Sequence, residues 1–509
     1  MSEKSTKPNF TQRFLDRVER VGNKLPQPVS LFLILIGMVL VASWIVSMMS
    51  VTVVHPGNGS EVKAVNLLSA EGIRRIFVDM VKTFTDFPPL GLVLVVMLGI
   101  GIAERSGFIA AALKAFVKSV PKQLVTFSVV TAGMLSSVAA DAGYVVLIPL
   151  GAAIFYGMKR HPLAGLAAAF AGVSGGFGAN IFLTSLDPLI AAFTEPAARI
   201  MDPSYTVDAT SNWYIMAASV PVLAIAGTWV TDKIVEPRLG KYVREDDLEE
   251  ESNELSKLEK KGLLFAISSM VIASIILLFM VIPENGILRD EDGGIQVFLR
   301  SIVAIMLFMF LIPGLVYGIV TKTITNDKQM SKMSSEAMAS MGGYIVLAFA
   351  AAQFVAYFNW SNLGQIVAIS GADFLQNIGF TGIPLLIVFI IVSSIINLAI
   401  GSASAKWAIL APIFVPMFML MDPAYSPETI QAAYRIGDSY SNILTPLLPY
   451  FPLVIVFAQK YVKDVGIGTL ISLMLPFAIT FAIVRIPMFI AWIMLNIPLG
   501  PSAPTYYIP

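Results

Sequence analysis

Cysteine is missing from all 509 residues, and only two histidines occur, His55 and His161. That removes disulfide frameworks, thiolate metal sites, thiol catalysis and iron–sulfur clusters. The two histidines fall in different loops, which leaves little for a zinc or iron centre. No organic cofactor and no transition metal are expected, and the ions left to consider are sodium and protons. Charge is scarce as well: 13% of residues are charged, and Lys plus Arg (34) balances Asp plus Glu (34). With no basic excess to hold a phosphate backbone, no nucleic-acid partner is expected. What the chain does have is apolar surface. At 56% hydrophobic over 509 residues it is too apolar for a soluble domain and too long for one or two anchors. The composition points to an all-α polytopic protein whose first partner is the lipid bilayer.

A bilayer core of roughly 30 Å asks for about 20 apolar residues per helix. Residues 1–29 are polar and basic, with Arg13, Arg17, Arg20 and Lys24 spaced as on a surface helix, and no cleavable signal is evident. Nine spans then fall near 30–52, 88–104, 163–194, 212–235, 263–283, 297–320, 335–357, 428–459 and 467–497. Two further segments, 123–158 and 380–420, have apolar arms interrupted by small and polar residues, LSSVAADAG and SSIINLAIGSASAKW. Arms of about 13 to 17 residues reach about 20 to 25 Å, short of a crossing, so both read as re-entrant hairpins. With the N-terminus inside, the inner segments hold 23 Lys and Arg and the outer ones 6. This satisfies the positive-inside rule and places the C-terminus on the opposite side.

The hairpins resemble each other. Asp141-Ala-Gly-Tyr-Val-Val-Leu-Ile-Pro149 aligns with Ser404-Ala-Lys-Trp-Ala-Ile-Leu-Ala-Pro412, and Asn180 and Asn442 follow at 39 and 38 residues. Each Asn lies in a span broken by small residues, SGGFGAN and IGDSYSN. The order span, hairpin, broken span, span therefore occurs twice with opposite polarity, which is an inverted-topology repeat. The expected organisation is a cytoplasmic segment 1–29, a first frame helix and outer loop 30–87, and repeat 1 at 88–235 with its hairpin 123–158 and broken helix 163–194. A charged inner loop 236–262, frame helices within 263–334, repeat 2 at 335–497 with hairpin 380–420 and broken helix 428–459, and an outer tail 498–509 complete it. Irregular backbone at membrane depth is tolerated where protein buries it or water reaches it. Paired discontinuous helices in two halves mark the site of secondary transporters; the bland alternative is that small residues merely permit close helix packing.

An ionised side chain near the bilayer centre costs roughly 2.5 to 3.5 kcal/mol on insertion scales. Asp141, Asp187, Lys406, Arg435, Asp438 and Arg485 each need a reason to be there. Five cluster at hairpin tips and helix breaks, while Arg485, in the last span, stands apart. Arg435 and Asp438 share a helix face and either neutralise each other or divide the work, Arg435 forking a substrate carboxylate and Asp438 taking a proton or cation. Asp187 reads as a cation ligand or a helix-end cap, and Trp407 as a stacking surface for an aromatic substrate or as packing. Candidate cation ligands are Ser136, Ser137, Asp141 and Asn180 in one half, and Asn397, Ser402, Ser404 and Asn442 in the other. Gly172-Val-Ser174-Gly-Gly176 matches a serine-hydrolase elbow, but it sits in an apolar helical run rather than a strand-to-helix turn. Its nearest base, His161, lies 13 residues away, so an intramembrane serine hydrolase is disfavoured and no enzymatic activity is expected. The sequon at Asn58 carries no weight, and the acidic run 244–261 reads as a solvated loop.

The stretches SSVAADAGYVVLIPLGA, GSASAKWAILAPIFVPMFML, YRIGDS and NWYIMAASV, with this order of spans, resemble the AbgT family of p-aminobenzoyl-glutamate transporters over nearly the whole chain. At the level of fold the chain is also similar to sodium-coupled dicarboxylate transporters. The resemblance implies nine transmembrane helices, two hairpins and a homodimer in a bacterial inner membrane. It implies substrates such as p-aminobenzoyl-glutamate, with export of sulfonamide antimetabolites in some members. It places functional positions at Asp187 in TSLDPL, Asn397, Trp407 in SAKW, Arg435 and Asp438 in RIGD, and Pro427 and Pro446 flanking that helix. Lys406 is not part of that pattern. The sequence reading is a cation-coupled secondary transporter of a small aromatic carboxylate; the alternatives are a proton-driven sulfonamide exporter and a passive channel.

Overall fold

A computed structural model of the chain describes residues 28–54, 59–138, 143–242, 255–291 and 293–508. The basic residues Arg13 to Lys24, His55, Asn58, the hairpin-tip residue Asp141 and the acidic run as far as residue 254 lie outside these. The first helix, α1 (Pro28–Met48), is followed by a small antiparallel hairpin, β1 (Thr52–Val54) and β2 (Glu61–Lys63), with Val53 opposite Val62. Next come α2 (Ala70–Thr85), α3 (Pro88–Arg105) and α4 (Phe108–Lys118). The first hairpin has arms α5 (Val125–Ser136) and α6 (Ile148–Gly157), the second arm opened by a π-turn over Gly143–Leu147. A helix α7 (Pro162–Phe170) ends in a second π-turn, Ala171–Gly175, and resumes only at α8 (Leu186–Ala198).

Then follow α9 (Trp213–Val230), which runs on through a third π-turn to Leu239, α10 (Lys257–Val281), α11 (Ile302–Thr321), α12 (Asp327–Ala339), α13 (Gly342–Trp360) and α14 (Leu363–Asn377). The second hairpin is α15 (Gly382–Ala399) and α16 (Ala403–Met419). The second interrupted helix is α17 (Pro427–Ser441) with α18 (Phe451–Gln459), and α19 (Ile467–Met494) closes the bundle. Among the described residues seven helical runs are long and apolar enough to cross a bilayer. The two interrupted helices are not among these seven, since their pieces are too short.

Several segments differ from their sequence reading. The loop before residue 88, to which the sequence reading assigned no elements, holds β1, β2 and the amphipathic α2. The span expected at 335–357 begins at Gly342, because the polar stretch 327–339 forms the separate surface helix α12, tied to α3 by the Arg105–Glu336 bridge (3.1 Å). The stretch after it contains α14, whose mixed polarity fits no spanning pattern. The tail 498–508 is not free either. Thr505 O accepts from Ser426 N (3.2 Å) and Thr429 Oγ1 (2.7 Å), so the chain end straps the N-terminus of α17.

Local chemistry explains the two interruptions. Ser426 caps α17 by accepting from Thr429 N (3.1 Å), and Pro427 follows at the first helical position, where its missing N–H is harmless. At the other end Pro446 forces Thr445 into extended backbone (φ −90°, ψ 122°), which stops the helix. In the first half the run Gly175-Gly176-Phe177-Gly178 follows a π-turn that already loosens the ladder.

The buried apolar residues form two cores. The first surrounds hairpin α5–α6 with α7 and α9 but also takes in α18 and the start of α19; the second surrounds α13 to α17 but takes in α8. Each interrupted helix thus hands its second piece to the other half: α8 packs on α16, and α18 on α6 and α7. Close approach at glycine joins each hairpin to its broken helix. A Cβ on Gly172 would lie 2.3 Å from Val130 O, and one on Gly437 would lie 2.5 Å from Ile390 O. Gly172→Ala and Gly437→Ala should each lower stability by about 1–3 kcal/mol through overpacking. The measurement is the melting temperature in detergent, with Gly91→Ala, which meets open space, as the control that stays near wild type.

Candidate functional site

The two interruptions meet at the centre of the molecule. Gly178 N donates to Ser439 Oγ (2.8 Å), and Ser439 Oγ donates to Gly175 O (3.2 Å), so the unwound segment of one half lies against the α17 helix of the other. Around this crossing five ionisable side chains are buried: Asp187, Lys406, Arg435, Asp438 and Arg485.

Of the two readings of Arg435 and Asp438, mutual neutralisation across one helix turn does not hold. Arg435 Nη1 donates to Asp187 Oδ1 (2.6 Å), 248 positions away. Asp187 Oδ2 also accepts from Thr184 N (2.5 Å) and Thr184 Oγ1 (2.8 Å), so the carboxylate holds the unwound chain ahead of α8 and pairs with Arg435 at once. The helix-end reading of Asp187 is the one these contacts match, with Arg435 as an added partner. Asp438 is paired instead with Lys406, whose ammonium also donates to Asn397 Oδ1. Lys406, outside the expected pattern, is therefore central. A residue three positions from a partner on a helix reaches it only if no better-placed charge competes, and here residues from distant helices do.

Asn397 Nδ2 lies within hydrogen-bond distance of Asp438 O (2.8 Å), Ser441 Oγ (2.7 Å) and Asn442 Oδ1 (2.9 Å), tying hairpin α15–α16 to the end of α17. The first half repeats this with other residues: Asn180 Nδ2 donates to Met134 O (3.0 Å) and Ser137 Oγ (3.1 Å) at the end of α5. In each half an amide satisfies polar groups left over where a hairpin arm meets a break. Ser136 and Ser137 donate back to Gly133 O and Met134 O. Ser402 caps α16 by accepting from Ala405 N (3.4 Å), and its hydroxyl is 3.4 Å from that of Ser404. Among the described residues, then, the two sets of candidate cation ligands fall at the two breaks, and in the second set an ammonium already lies on Asn397.

Trp407 is fully buried, stacked on Tyr434 (centroids 4.6 Å, 24°), and its indole N–H donates to Thr194 Oγ1 (2.9 Å). Thr194 Oγ1 in turn is 2.6 Å from Gln431 Oε1. The indole face is packing in this conformation, and its N–H links hairpin 2 to α8. Arg485 does not stand apart: from α19 it donates to Gly178 O in the broken segment and lines a small cavity with Arg435.

Against this geometry the comparisons are decisive. Residues 13–507 match the model of the AbgT putative transporter family. The chain is 40% identical over 490 residues to the p-aminobenzoyl-glutamate transport protein of Escherichia coli K12, covering 95% of each. The chain belongs to the AbgT putative transporter family. Solved relatives carry the same fold. The YdaH transporter of Alcanivorax borkumensis superposes with a TM-score of 0.89 at 41% identity, covering 94% of this chain and all of the other. MtrF of Neisseria gonorrhoeae, described with a class of antimetabolite efflux pumps, gives 0.91 at 48%, covering 97% of this chain and all of the other.

An AbgT-family chain is a multi-pass membrane transporter and not an enzyme, which disposes of the hydrolase reading. Ser174 lies buried inside the π-turn of the broken helix, and His161 Nδ1 accepts from Leu163 N (3.2 Å) as a helix cap. Sequence reasoning named Lys406 and Arg485 as charges needing a reason without finding their partners, and it passed over Thr194, Gln431 and Ser439. Thr194 is a polar group in a largely apolar stretch, whereas Gln431 and Ser439 sit in the polar α17, where nothing local sets them apart.

Breaking a buried ion pair leaves an uncompensated charge and costs about 3–5 kcal/mol, whereas replacing both partners is nearly neutral. In this family member Asp438→Asn should therefore melt well below wild type in detergent, and Lys406→Met added to it should restore most of the loss. Equal melting of the single and double variants would show that the pair does not hold the site together.

Proposed function

We propose that this chain is a cation-coupled secondary transporter of a small aromatic carboxylate such as p-aminobenzoyl-glutamate. The observation that carries the reading is Arg435. Its guanidinium offers one edge to Asp187 and leaves Nε and Nη2 without a partner among the described residues, at the meeting point of two interrupted helices. A carboxylate taking the fork bidentately competes with Asp187 for the same cation. Once displaced, Asp187 is a buried carboxylate without its counter-charge, and it favours a proton or sodium ion in place of the arginine. Substrate and cation then load together. The likeness to the E. coli p-aminobenzoyl-glutamate transport protein supports the substrate class.

In this proposal repeat 1 (88–235) and repeat 2 (335–497) supply the moving core, which exposes the site alternately to either side while α1, α10 and α11 act as frame. The N-terminus is cytoplasmic and the C-terminus periplasmic, in a bacterial inner membrane. The apolar face of α10, exposed from Leu264 to Ile282, needs lipid or a second copy against it, which fits a homodimer. The likeness to MtrF favours a second reading, proton-driven export of sulfonamide antimetabolites.

The test is p-aminobenzoyl-glutamate flux in proteoliposomes under separately imposed sodium and proton gradients. Uptake should follow an inward gradient of one cation and collapse with it. Flux indifferent to both gradients would indicate a channel, and sulfonamide flux driven by an opposing proton gradient would favour the exporter. Arg435→Lys keeps a charge for Asp187 but loses the fork, and it should stay folded while flux falls about tenfold or more.

A further inference from the structure

Arg485 is 4% exposed and approaches the site from α19. One guanidinium nitrogen donates to Gly178 O, while Nε and Nη1 have no partner among the described residues. It lines, with Arg435, Asn212, Ile215, Met216, Ala432 and Ile436, a cavity between the start of α9, the middle of α17 and the second half of α19. Asn212 is a wall rather than a free donor, since its amide donates to Glu428 O (2.9 Å) and its carbonyl accepts from Gln431 Nε2 (2.9 Å). Two guanidinium groups with unmatched N–H edges thus border one space.

The charges point the same way. Of the central buried groups, Arg435 is matched by Asp187 and Lys406 by Asp438, which leaves Arg485 without a paired carboxylate among the described residues. The next buried acid, Glu428, is seven residues up α17 from Arg435, about 10 Å along the helix, and is held by Tyr205 Oη (2.8 Å). A buried arginine kept like-charged beside another, with N–H groups unsatisfied, is unfavourable for folding alone. A ligand carboxylate would satisfy both the charge and the hydrogen bonds.

We propose that Arg485 is the second carboxylate anchor of the transport site, so that the chain selects an aromatic acyl amino acid bearing two carboxylates, one on Arg435 and one on Arg485. This rests on the carboxylate reading of Arg435 and goes beyond it by naming what sets diacid over monoacid selectivity. The cavity has about 10 Å3 of water-accessible volume in this conformation, room for roughly one water. Met216, Ile215 and Ile436 must therefore part before a carboxylate enters, and the anchor is available only when α9, α17 and α19 separate. Gly178 belongs to the device, because a Cβ there would lie 2.9 Å from the Arg485 guanidinium and displace it.

The experiment measures uptake kinetics of p-aminobenzoyl-glutamate and of p-aminobenzoyl-alanine, which lacks the second carboxylate, in proteoliposomes of wild type, R485K, R485Q and Gly178→Ala. Wild type should show a KM at least about tenfold lower for the diacid. R485Q should raise the diacid KM to that of the monoacid and leave the monoacid KM unchanged; R485K should fall between. Gly178→Ala keeps the charge but shifts the guanidinium, and should raise the diacid KM selectively. It decides the matter should R485Q not fold. A purely structural arginine would lower flux of both compounds equally, and that result, or unchanged selectivity in folded variants, overturns the anchor. Wild type carrying neither compound would overturn the aromatic-carboxylate reading itself, a different outcome.

Discussion

Asp187 and Arg435 are joined by one salt bridge, and everything at the centre of the molecule is arranged around it. Lipid offers a charged group no water, so a buried ion needs a counter-ion and hydrogen bonds from protein. Arg435 and Asp438 sit three residues apart on α17 and point to different partners: Arg435 to Asp187 in the first turn of α8, and Asp438 to Lys406 on the second hairpin. One turn of one helix is therefore anchored in two directions. One bridge joins the two broken helices and the other joins α17 to the second hairpin, and neither reaches α1, α10 or α11. A rigid movement of that core past the frame would keep both charges paired throughout, which removes the largest electrostatic barrier such a movement would otherwise meet.

The interlock of the two halves follows from where each helix is interrupted. Because α7 unwinds at Gly175–Gly178 and resumes at Leu186, its second piece is free to lie on the opposite hairpin, and α18 does the reciprocal after Pro446. The trade leaves polar backbone at mid-depth in both halves. Asn180 and Asn397 answer it with the same chemistry, a side-chain amide laid on carbonyls where a hairpin arm meets a break. Thr445 adds a hydroxyl on Leu398 O (3.1 Å). Irregular backbone survives in this position because protein satisfies it, and each half is satisfied from its own sequence rather than by a copied residue.

Much of this was legible from the chain alone because it depends on local pattern. Apolar length marked candidate crossings and the glycine run 175–178 marked the first break, while Pro427 and Pro446 at the two ends of α17 came from the family resemblance. Matching spacing to Asn180 and Asn442 exposed the repeat. What was not legible depends on partners hundreds of residues away. The rule that three-apart charges meet on a helix suggested Arg435 with Asp438, and it fails because Asp187 and Lys406 are better placed in three dimensions. Arg485 looked isolated because nothing near it in sequence is polar, whereas its neighbours are Gly178 and the wall of α17. The amphipathic α2 and α12, and the strap over Ser426 and Thr429, were missed because surface helices and tails carry no spanning signal.

At the centre, among the described residues, the buried cations are one ammonium and two guanidinium groups, and their surroundings match the difference. An ammonium is a compact point charge, well used when wholly enclosed by one carboxylate and one amide oxygen, and Lys406 is enclosed in that way. A guanidinium is a planar fork with five donors, and burying one against a single acceptor wastes its geometry unless another acceptor arrives. Arg435 touches one carboxylate oxygen and Arg485 one carbonyl, each leaving an edge toward the same small space. Were these arginines only structural, a lysine would satisfy the same single contacts with fewer unsatisfied donors. The use of two forks where two point charges would serve the resting contacts is the physical reason to look for a planar, doubly charged acceptor between α17 and α19.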